Sequence, residues 1–129
     1  MSLKKNIKVL IVDDEPNILL SLEFLMKKEG FLVFIARDGE EAFDIINKEK
    51  PNIVLLDIMM PKVDGYEVCR YIKNNSTFDG TRVVFLSARN KESEIEKGYE
   101  YGADLYIPKP FSTRDLVRKV NSIAMGLVA

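Results

Sequence analysis

The 129-residue sequence contains no histidine, and this absence narrows the chemistry that the chain can perform. An imidazole is the commonest general base, the usual partner of a serine nucleophile and the commonest metal ligand. A Ser-His-Asp hydrolase site and a zinc site of cysteine and histidine are therefore excluded. Oxygen ligands, and the hard cations that prefer them, remain available.

Other scarce features limit where the protein works and what it binds. The single cysteine, Cys69, excludes an internal disulfide and is compatible with a reducing cytosol. No apolar run is long enough to cross a bilayer, and residues 1–8 lack the apolar core of a signal peptide, so no membrane partner is expected. The formal net charge is −1 with lysine and glutamate interleaved, so no nucleic-acid partner is expected either. We expect a cytoplasmic protein.

What the sequence does contain is a regular alternation of strand and helix signals. Runs rich in Val, Ile and Phe are nearly continuous rather than alternating, which indicates strands covered on both faces. They occupy residues 7–12, 31–36, 53–57, 83–87 and 104–107. Helical patterns separate them, and five such units predict one doubly wound α/β domain with a five-stranded parallel sheet and five helices.

Local signals mark the helix boundaries. Pro16 can start the first helix and Gly30 can end it. Capping pairs mark the second, third and fifth helices, namely Asp38 with Glu41, Asp64 with Glu67, and Ser112 with Asp115. Residues 92–101 give the weakest helix pattern, with Ile95 and Tyr99 as its apolar anchors. We expect this element to be the movable one.

Polar side chains suited to phosphate chemistry stand where four of the apolar runs end. Asp13 and Asp14 follow the first run, and Asp57 closes the third. Ser87 closes the fourth run, and Lys109 follows the fifth. If the runs are parallel strands, their carboxyl ends share one edge, where open α/β sheets form ligand sites. Clustered carboxylates repel each other, so bringing them together calls for a cation.

Four segments contain the first, third, fourth and fifth predicted strands, in this order: VLIVDDEP, IVLLDIMMPKVDGYEVCR, VVFLSA and GADLYIPKPF. Together they resemble the signatures of the receiver domain of bacterial two-component response regulators. The resemblance covers residues 5–125 and implies a flavodoxin-like sheet with the strand order 2-1-3-4-5. We interpret residues 1–4 as a disordered or vector-derived N-terminus.

The resemblance implies that Asp57 is the phosphoacceptor. Its carboxylate would take a phosphoryl group from the phosphohistidine of a sensor histidine kinase or a phosphotransfer protein. The implied cofactor is Mg²⁺, with Asp14 and Asp57 as direct ligands. Asp13 would act mostly through water, and Met59 would contribute its backbone carbonyl.

The resemblance also implies roles at the last two strands. Ser87 and Lys109 would be catalytic by neutralising oxygens of the migrating phosphoryl group. The Lys109–Pro110 bond would be cis and would fix the direction of the lysine. Tyr106 aligns with a mobile aromatic that switches together with Ser87, although an ordinary half-buried strand tyrosine explains this residue equally well.

The implied function is that of a signalling phosphoacceptor rather than an enzyme. The domain would catalyse its own phosphorylation and slow dephosphorylation, and it would switch the surface around the fourth helix, fifth strand and fifth helix. Two positions flank the path of an attacking water by resemblance, and here they are Met59 and Arg89. Neither side chain can serve as a base or orient water, which predicts slow autodephosphorylation. The alternative is that both side chains point into solvent.

Two alternative functions remain open. One is a receiver-like interaction module that works without phosphorylation, although such modules usually lose one of the acidic residues or the lysine, which this chain keeps. The other is an Mg²⁺-dependent phosphatase that forms an aspartyl phosphate. Enzymes of that kind generally carry a second aspartate two residues after the nucleophile, where this chain has Met59.

One departure from the family pattern concerns association. Many DNA-binding relatives carry a second acidic residue beside the position of Asp104, which helps to build a salt-bridged dimer face, whereas this chain has Leu105. We expect Leu105 to be exposed and available to another partner, and a phosphorylation-dependent dimer stays an open prediction. The domain would be either a stand-alone receiver or part of a longer regulator or hybrid kinase with an effector domain.

Overall fold

The five apolar runs form the five strands of one parallel sheet. The computed structural model describes residues 3–89 and 91–128. Its strands are β1 Lys8–Val12, β2 Leu32–Ala36, β3 Ile53–Asp57, β4 Arg82–Ser87 and β5 Leu105–Pro108. Their order in the sheet is β2-β1-β3-β4-β5, with every neighbouring pair parallel. The predicted doubly wound sheet of order 2-1-3-4-5 is confirmed, and the strand ends differ from the predicted ones by at most one residue.

Helices connect the strands as predicted. They are α1 Pro16–Lys28, α2 Gly39–Glu49, α3 Gly65–Lys73, α4 Glu92–Glu100 and α5 Thr113–Val128, with 3-10 turns at Leu3–Asn6 and Ser76–Phe78. Residues 3 and 4 thus belong to a short helix rather than to a disordered N-terminus, while residues 1 and 2 lie outside the described residues.

The helix ends follow the local signals in the sequence. The backbone N–H of the third residue of α2, α3 and α5 donates to the capping side chain of Asp38, Asp64 and Ser112, respectively, at 2.9 to 3.1 Å. Helix α1 begins at Pro16, and Gly30 follows its end with a φ of 99°, a backbone conformation that glycine adopts without strain.

The sheet carries a core on each face because successive strand residues point to opposite sides. On β1, Leu10 and Val12 join the cluster covered by α2 and α3, whereas Val9 and Ile11 join the cluster covered by α1 and α5. This two-sided burial explains the nearly continuous hydrophobicity of the central strands. It leaves the carboxyl ends of the strands as the polar edge of the sheet.

Two expectations about the last third of the chain were wrong. Leu105 is half-buried and packs against the α1–α5 core cluster, because its position on β5 turns the side chain inward, so it is not an exposed contact for a partner. Tyr99 is 45% exposed and does not anchor α4 as a buried apolar residue. The buried residue of α4 is instead Gly98.

In the described part of the chain, every helix is too short or too polar to span a membrane.

Candidate functional site

The side chains predicted at the strand ends converge on one edge because their strands are neighbours in the sheet. In the register of the sheet, Asp57 lies beside Leu86, and Ser87 lies beside Pro108, which directly precedes Lys109. Val12, the last residue of β1, lies beside Leu56, so Asp13 and Asp14 follow β1 at the same edge. The convergence that the sequence predicted is therefore present.

Three carboxylates form the centre of this site. One oxygen each of Asp13, Asp14 and Asp57 lies within 4.8 Å of the others. Asp13 is 1% exposed and Asp57 is 5% exposed, whereas Asp14 is open to solvent. Two buried carboxylates and one accessible carboxylate at this spacing suit a hard cation that retains part of its water shell, as Mg²⁺ does.

Lys109 supplies the positive charge next to these carboxylates. Its Nζ donates to Asp13 Oδ2 at 3.0 Å and lies 3.9 Å from Asp57 Oδ1. The lysine side chain is only 15% exposed, so solvent screens these ion pairs weakly. The Lys109–Pro110 peptide bond is cis. The ammonium therefore holds together two carboxylates that would otherwise repel each other.

The two oxygens of Asp13 are both engaged by the protein. Oδ2 accepts from Lys109, and Oδ1 accepts the backbone N–H of Glu15 at 2.9 Å. A carboxylate with both oxygens engaged in this way is a poorer direct ligand than the exposed Asp14. This arrangement fits a division of roles in which Asp14 and Asp57 contact a cation and Asp13 reaches it through water.

The electrostatics of Asp57 reflect this crowding. The pKa of its carboxyl is raised from 3.8 to about 6, mainly by burial and next by the neighbouring Asp13 carboxylate. The Lys109 ammonium and the N–H of Met59, which donates to Asp57 Oδ1 at 3.3 Å, oppose that rise. A carboxyl with this pKa is mostly ionised at neutral pH but costs the folded state free energy. A bound cation would relieve this cost.

Ser87 and Tyr106 lie next to each other behind the acidic cluster. Ser87 is fully buried, and its Oγ accepts the backbone N–H of Arg89 at 3.1 Å. Tyr106 is 5% exposed, and its hydroxyl donates to the carbonyl of Arg89 at 2.7 Å. Burial raises the pKa of the Tyr106 hydroxyl, while a hydrogen bond with Ser87 lowers it. The ring is thus turned inward and buried rather than half-buried.

Met59 and Arg89 flank the open side of the site. Both line a cavity of about 370 Å³ that also borders Asp14. The Met59 side chain is 52% exposed, and Arg89 Nε lies 3.5 Å from Glu94 Oε2 at the start of α4. Arg89 is therefore tied to α4 rather than extended freely into solvent.

Glu94 is a neighbour of the site that the sequence analysis did not predict. It stands in the first turn of α4, where acidic residues are common for reasons of the helix dipole alone. No pattern in the sequence links it to Arg89, since the two are brought together by the path of the β4–α4 connection. Only the folded structure reveals this pair.

Known proteins share this sequence pattern and this fold. The family model for the response regulator receiver domain matches residues 9–121. The receiver domain of the Francisella response regulator 1452 is 30% identical, with a TM-score of 0.84, over 92% of this chain and 96% of that one. CheY4 of Vibrio cholerae, a chemotaxis protein, is 26% identical, with a TM-score of 0.85, over 91% and 98%. The N-terminal receiver domain of RstA from Klebsiella pneumoniae is 28% identical, with a TM-score of 0.82, over 89% and 96%.

Proposed function

The chain belongs to the response regulator receiver domain family, and we propose that Asp57 is the residue on which it accepts a phosphoryl group. The donor is the phosphohistidine of a sensor histidine kinase or of a phosphotransfer protein, and the transfer depends on Mg²⁺. The observation that carries this proposal is the grouping at one sheet edge of three carboxylate oxygens within 4.8 Å of one another and a lysine ammonium 3.0 Å from one of the carboxylates.

In the proposed transfer, a carboxylate oxygen of Asp57 attacks the phosphorus atom of the donor. An O–P bond forms while the P–N bond to the donor imidazole breaks, and its electron pair leaves on the imidazole nitrogen. With its pKa at about 6, the Asp57 carboxyl is mostly ionised at neutral pH and so can act as the nucleophile. Its burial restricts the approach of the donor to the open edge of the sheet.

Lys109 and Ser87 stabilise the negative charge that develops on the phosphoryl oxygens during transfer. The Lys109 ammonium lies between Asp13 and Asp57 and can pair with one phosphoryl oxygen without leaving the site. Ser87 accepts a hydrogen bond from the backbone N–H of Arg89, and its own hydroxyl hydrogen can turn toward the phosphoryl group in order to donate. That turn changes the environment of the adjacent Tyr106, which is how we propose that phosphorylation reaches the surface formed by α4, β5 and α5.

The metal-ligating atoms at this site fit Mg²⁺, since they are oxygens and one of them belongs to an accessible carboxylate. Asp14 and Asp57 would hold the ion directly, the Met59 carbonyl would complete the share of the protein, and Asp13 would act through water. When bound, the cation supplies positive charge that neutralises the phosphoryl oxygens during transfer.

The proposed role is that of a signalling phosphoacceptor rather than an enzyme acting on an external substrate. The Klebsiella receiver domain was solved in a BeF3-activated form, and we propose that the same anion binds next to Asp57 here. Met59 and Arg89, neither of which can orient a water molecule, predict a long-lived phosphoryl group. Partners beyond the phosphodonor, namely an effector domain or a second copy after phosphorylation, are part of the same proposal.

The experiment that tests the proposal is incubation with acetyl phosphate and Mg²⁺, followed by intact-mass measurement over time. We expect a gain of one phosphoryl group that EDTA abolishes and that Asp57→Asn does not show. A folded protein that gains no mass would instead support the phosphorylation-independent interaction module. Continuous release of phosphate without accumulation of the phosphorylated form would support the phosphatase.

A further inference from the structure

Helix α4 meets the body of the domain through a glycine. Gly98 is the residue of α4 that is buried, and a Cβ atom added to it would lie 2.8 Å from Cδ2 of Tyr106 and 3.2 Å from Cδ2 of Phe85. A contact of 2.8 Å is closer than real Cβ atoms come to a carbon. The helix backbone therefore approaches the Tyr106 ring at a distance that only glycine allows.

Further contacts hold Tyr106 from the same direction. The hydroxyl of Tyr99, the next residue of α4, accepts the backbone N–H of Tyr106 at 3.1 Å. The Tyr106 hydroxyl donates at 2.7 Å to the carbonyl of Arg89, whose guanidinium pairs with Glu94 of α4. The ring, backbone and hydroxyl of one residue are thus all in contact with α4 or with the connection before it.

The rest of α4 offers little to hold it in place. Ile95 is half-buried against the core, and the large side chain of Tyr99 is 45% exposed. The residue before the helix, Lys91, makes no side-chain capping hydrogen bond. A short, largely polar helix with few buried apolar contacts has low local stability unless another contact holds it. In α4 such contacts include the Tyr106 ring beneath Gly98 and the Lys97 ammonium, which lies 4.5 Å from the centre of the Tyr66 ring.

We infer that Gly98 is a positioning residue that couples α4 to the inward orientation of the Tyr106 ring. The helix docks closely while the ring lies under Gly98, and it loosens when the ring is absent or is displaced. Any extension of this coupling to phosphorylation, through Ser87, rests on the proposed function. The coupling itself is a property of the unphosphorylated domain.

This inference predicts that the effect of alanine at position 98 on stability depends on the Tyr106 ring. Alanine normally stabilises a helix interior relative to glycine, because glycine loses more conformational freedom on folding. Gly98→Ala should nevertheless lower the urea midpoint of unfolding, since its methyl group meets the Tyr106 ring. In a Tyr106→Val background, where the ring is gone and only the 3.2 Å approach to Phe85 remains, the same substitution should lower the midpoint by much less. A double-mutant cycle of these four proteins measures the coupling directly.

The chain offers a matched control at Gly126 in α5, where an added Cβ meets no atom within 4 Å. Gly126→Ala should leave the urea midpoint unchanged or raise it, and by the same amount in both backgrounds. Tyr106→Phe separates the ring from its hydroxyl, because it keeps the steric contact and loses the bond to Arg89. Gly98→Ala should remain destabilising in that background. Equal midpoint changes for Gly98→Ala in all three backgrounds would overturn the inference.

Hydrogen exchange locates the effect in the structure. Amides of residues 92–100 should exchange at least tenfold faster in Gly98→Ala and in Tyr106→Val than in the wild type, while amides of α2 keep their rates. Unchanged exchange in α4 would also overturn the inference. Repeating the measurement with acetyl phosphate and Mg²⁺, with intact mass read from the same sample, keeps the two proposals apart. If the protein is not labelled, that result counts against the proposed function alone. If labelling changes the exchange rates of α4 by the same amount in Gly98→Ala as in the wild type, that result counts against the coupling alone.

Discussion

Replacing Asp57 with asparagine should stabilise the metal-free protein at neutral pH, and this gain should disappear in acid. The pKa of the Asp57 carboxyl is raised from 3.8 to about 6, first by burial and then by the Asp13 carboxylate. Between these two values the folded protein keeps a proton that the unfolded chain has released. The stability that the protonated carboxyl contributes is complete below the lower value and is lost as the pH rises through the upper one.

The size of the effect follows from that shift. A difference of about 2 pKa units, at about 1.4 kcal/mol per unit, corresponds to about 3 kcal/mol. Asparagine has nearly the shape of a protonated aspartate and does not ionise. At about pH 7.5, Asp57→Asn should therefore exceed the wild type in free energy of unfolding by up to about 3 kcal/mol, or roughly 10 °C in Tm. At about pH 4 the two proteins should be nearly equal.

Urea unfolding in EDTA across this pH range measures the difference. Asp44→Asn is the matched control, because Asp44 is exposed on α2 and its replacement changes the net charge equally. Its effect should be small, because the residue is exposed. Mg²⁺ should raise the stability of the wild type and narrow its gap to Asp57→Asn, since the ion binds the folded state. If Asp57→Asn behaves like Asp44→Asn, or if its gain does not grow between about pH 4 and about pH 7, the reasoning from burial and carboxylate crowding is refuted.

Three other predictions follow from the same geometry. Asp14→Asn should weaken Mg²⁺ binding at least tenfold and more than Asp13→Asn does, as measured by calorimetric titration; the reverse order would contradict the ligand assignment. Lys109→Met should lower the rate of labelling by acetyl phosphate by at least about 100-fold while the protein still binds Mg²⁺, and an unchanged rate would remove the lysine from catalysis. The phosphoryl group should persist for minutes or longer after the donor is removed, and Met59→Asn combined with Arg89→Glu should shorten its lifetime; decay of the wild type within seconds, or no acceleration in the double variant, would contradict this.

The sequence predicts the architecture well because the signals for it are local. Nearly continuous apolar runs mark the strands, and capping side chains such as Asp38 and Asp64 mark helix starts through bonds to residues three positions away. The convergence of Asp57 and Lys109 also follows, once parallel strands place their carboxyl ends on one edge. These inferences need only the neighbours in sequence and the topology of the sheet.

The wrong predictions concern residues whose burial depends on partners that are distant in the sequence. Hydrophobicity suggests Tyr99 as the anchor of α4, yet the aromatic ring beneath that helix belongs to Tyr106, and it makes Gly98 the buried residue. Leu105 looks like an exposed substitute for an acidic residue, but its position on β5 turns it toward the α1–α5 core. The local sequence does not indicate which face of a short edge strand is covered, so the burial of these residues is known only from the tertiary structure.

Asp104 shows the same limit for a charged residue. Its Oδ2 accepts from Lys73 Nζ at 2.8 Å and from the backbone N–H of Val83 at 2.8 Å, which ties the α4–β5 connection to α3 and β4. The residue is exposed, yet its carboxylate is engaged within the domain. The partners are 31 and 21 residues away, beyond the reach of any local pattern.

The claim that Asp57 carries the phosphoryl group is tested most directly by locating the modified residue. Borohydride reduces an aspartyl phosphate to homoserine, which leaves a stable mark that mass spectrometry assigns to a single position after proteolysis. After treatment with acetyl phosphate and Mg²⁺, the account predicts homoserine at position 57 and unmodified aspartates at positions 13 and 14. Homoserine at either of those two positions, or at none of the three in a protein that remains folded, would contradict it.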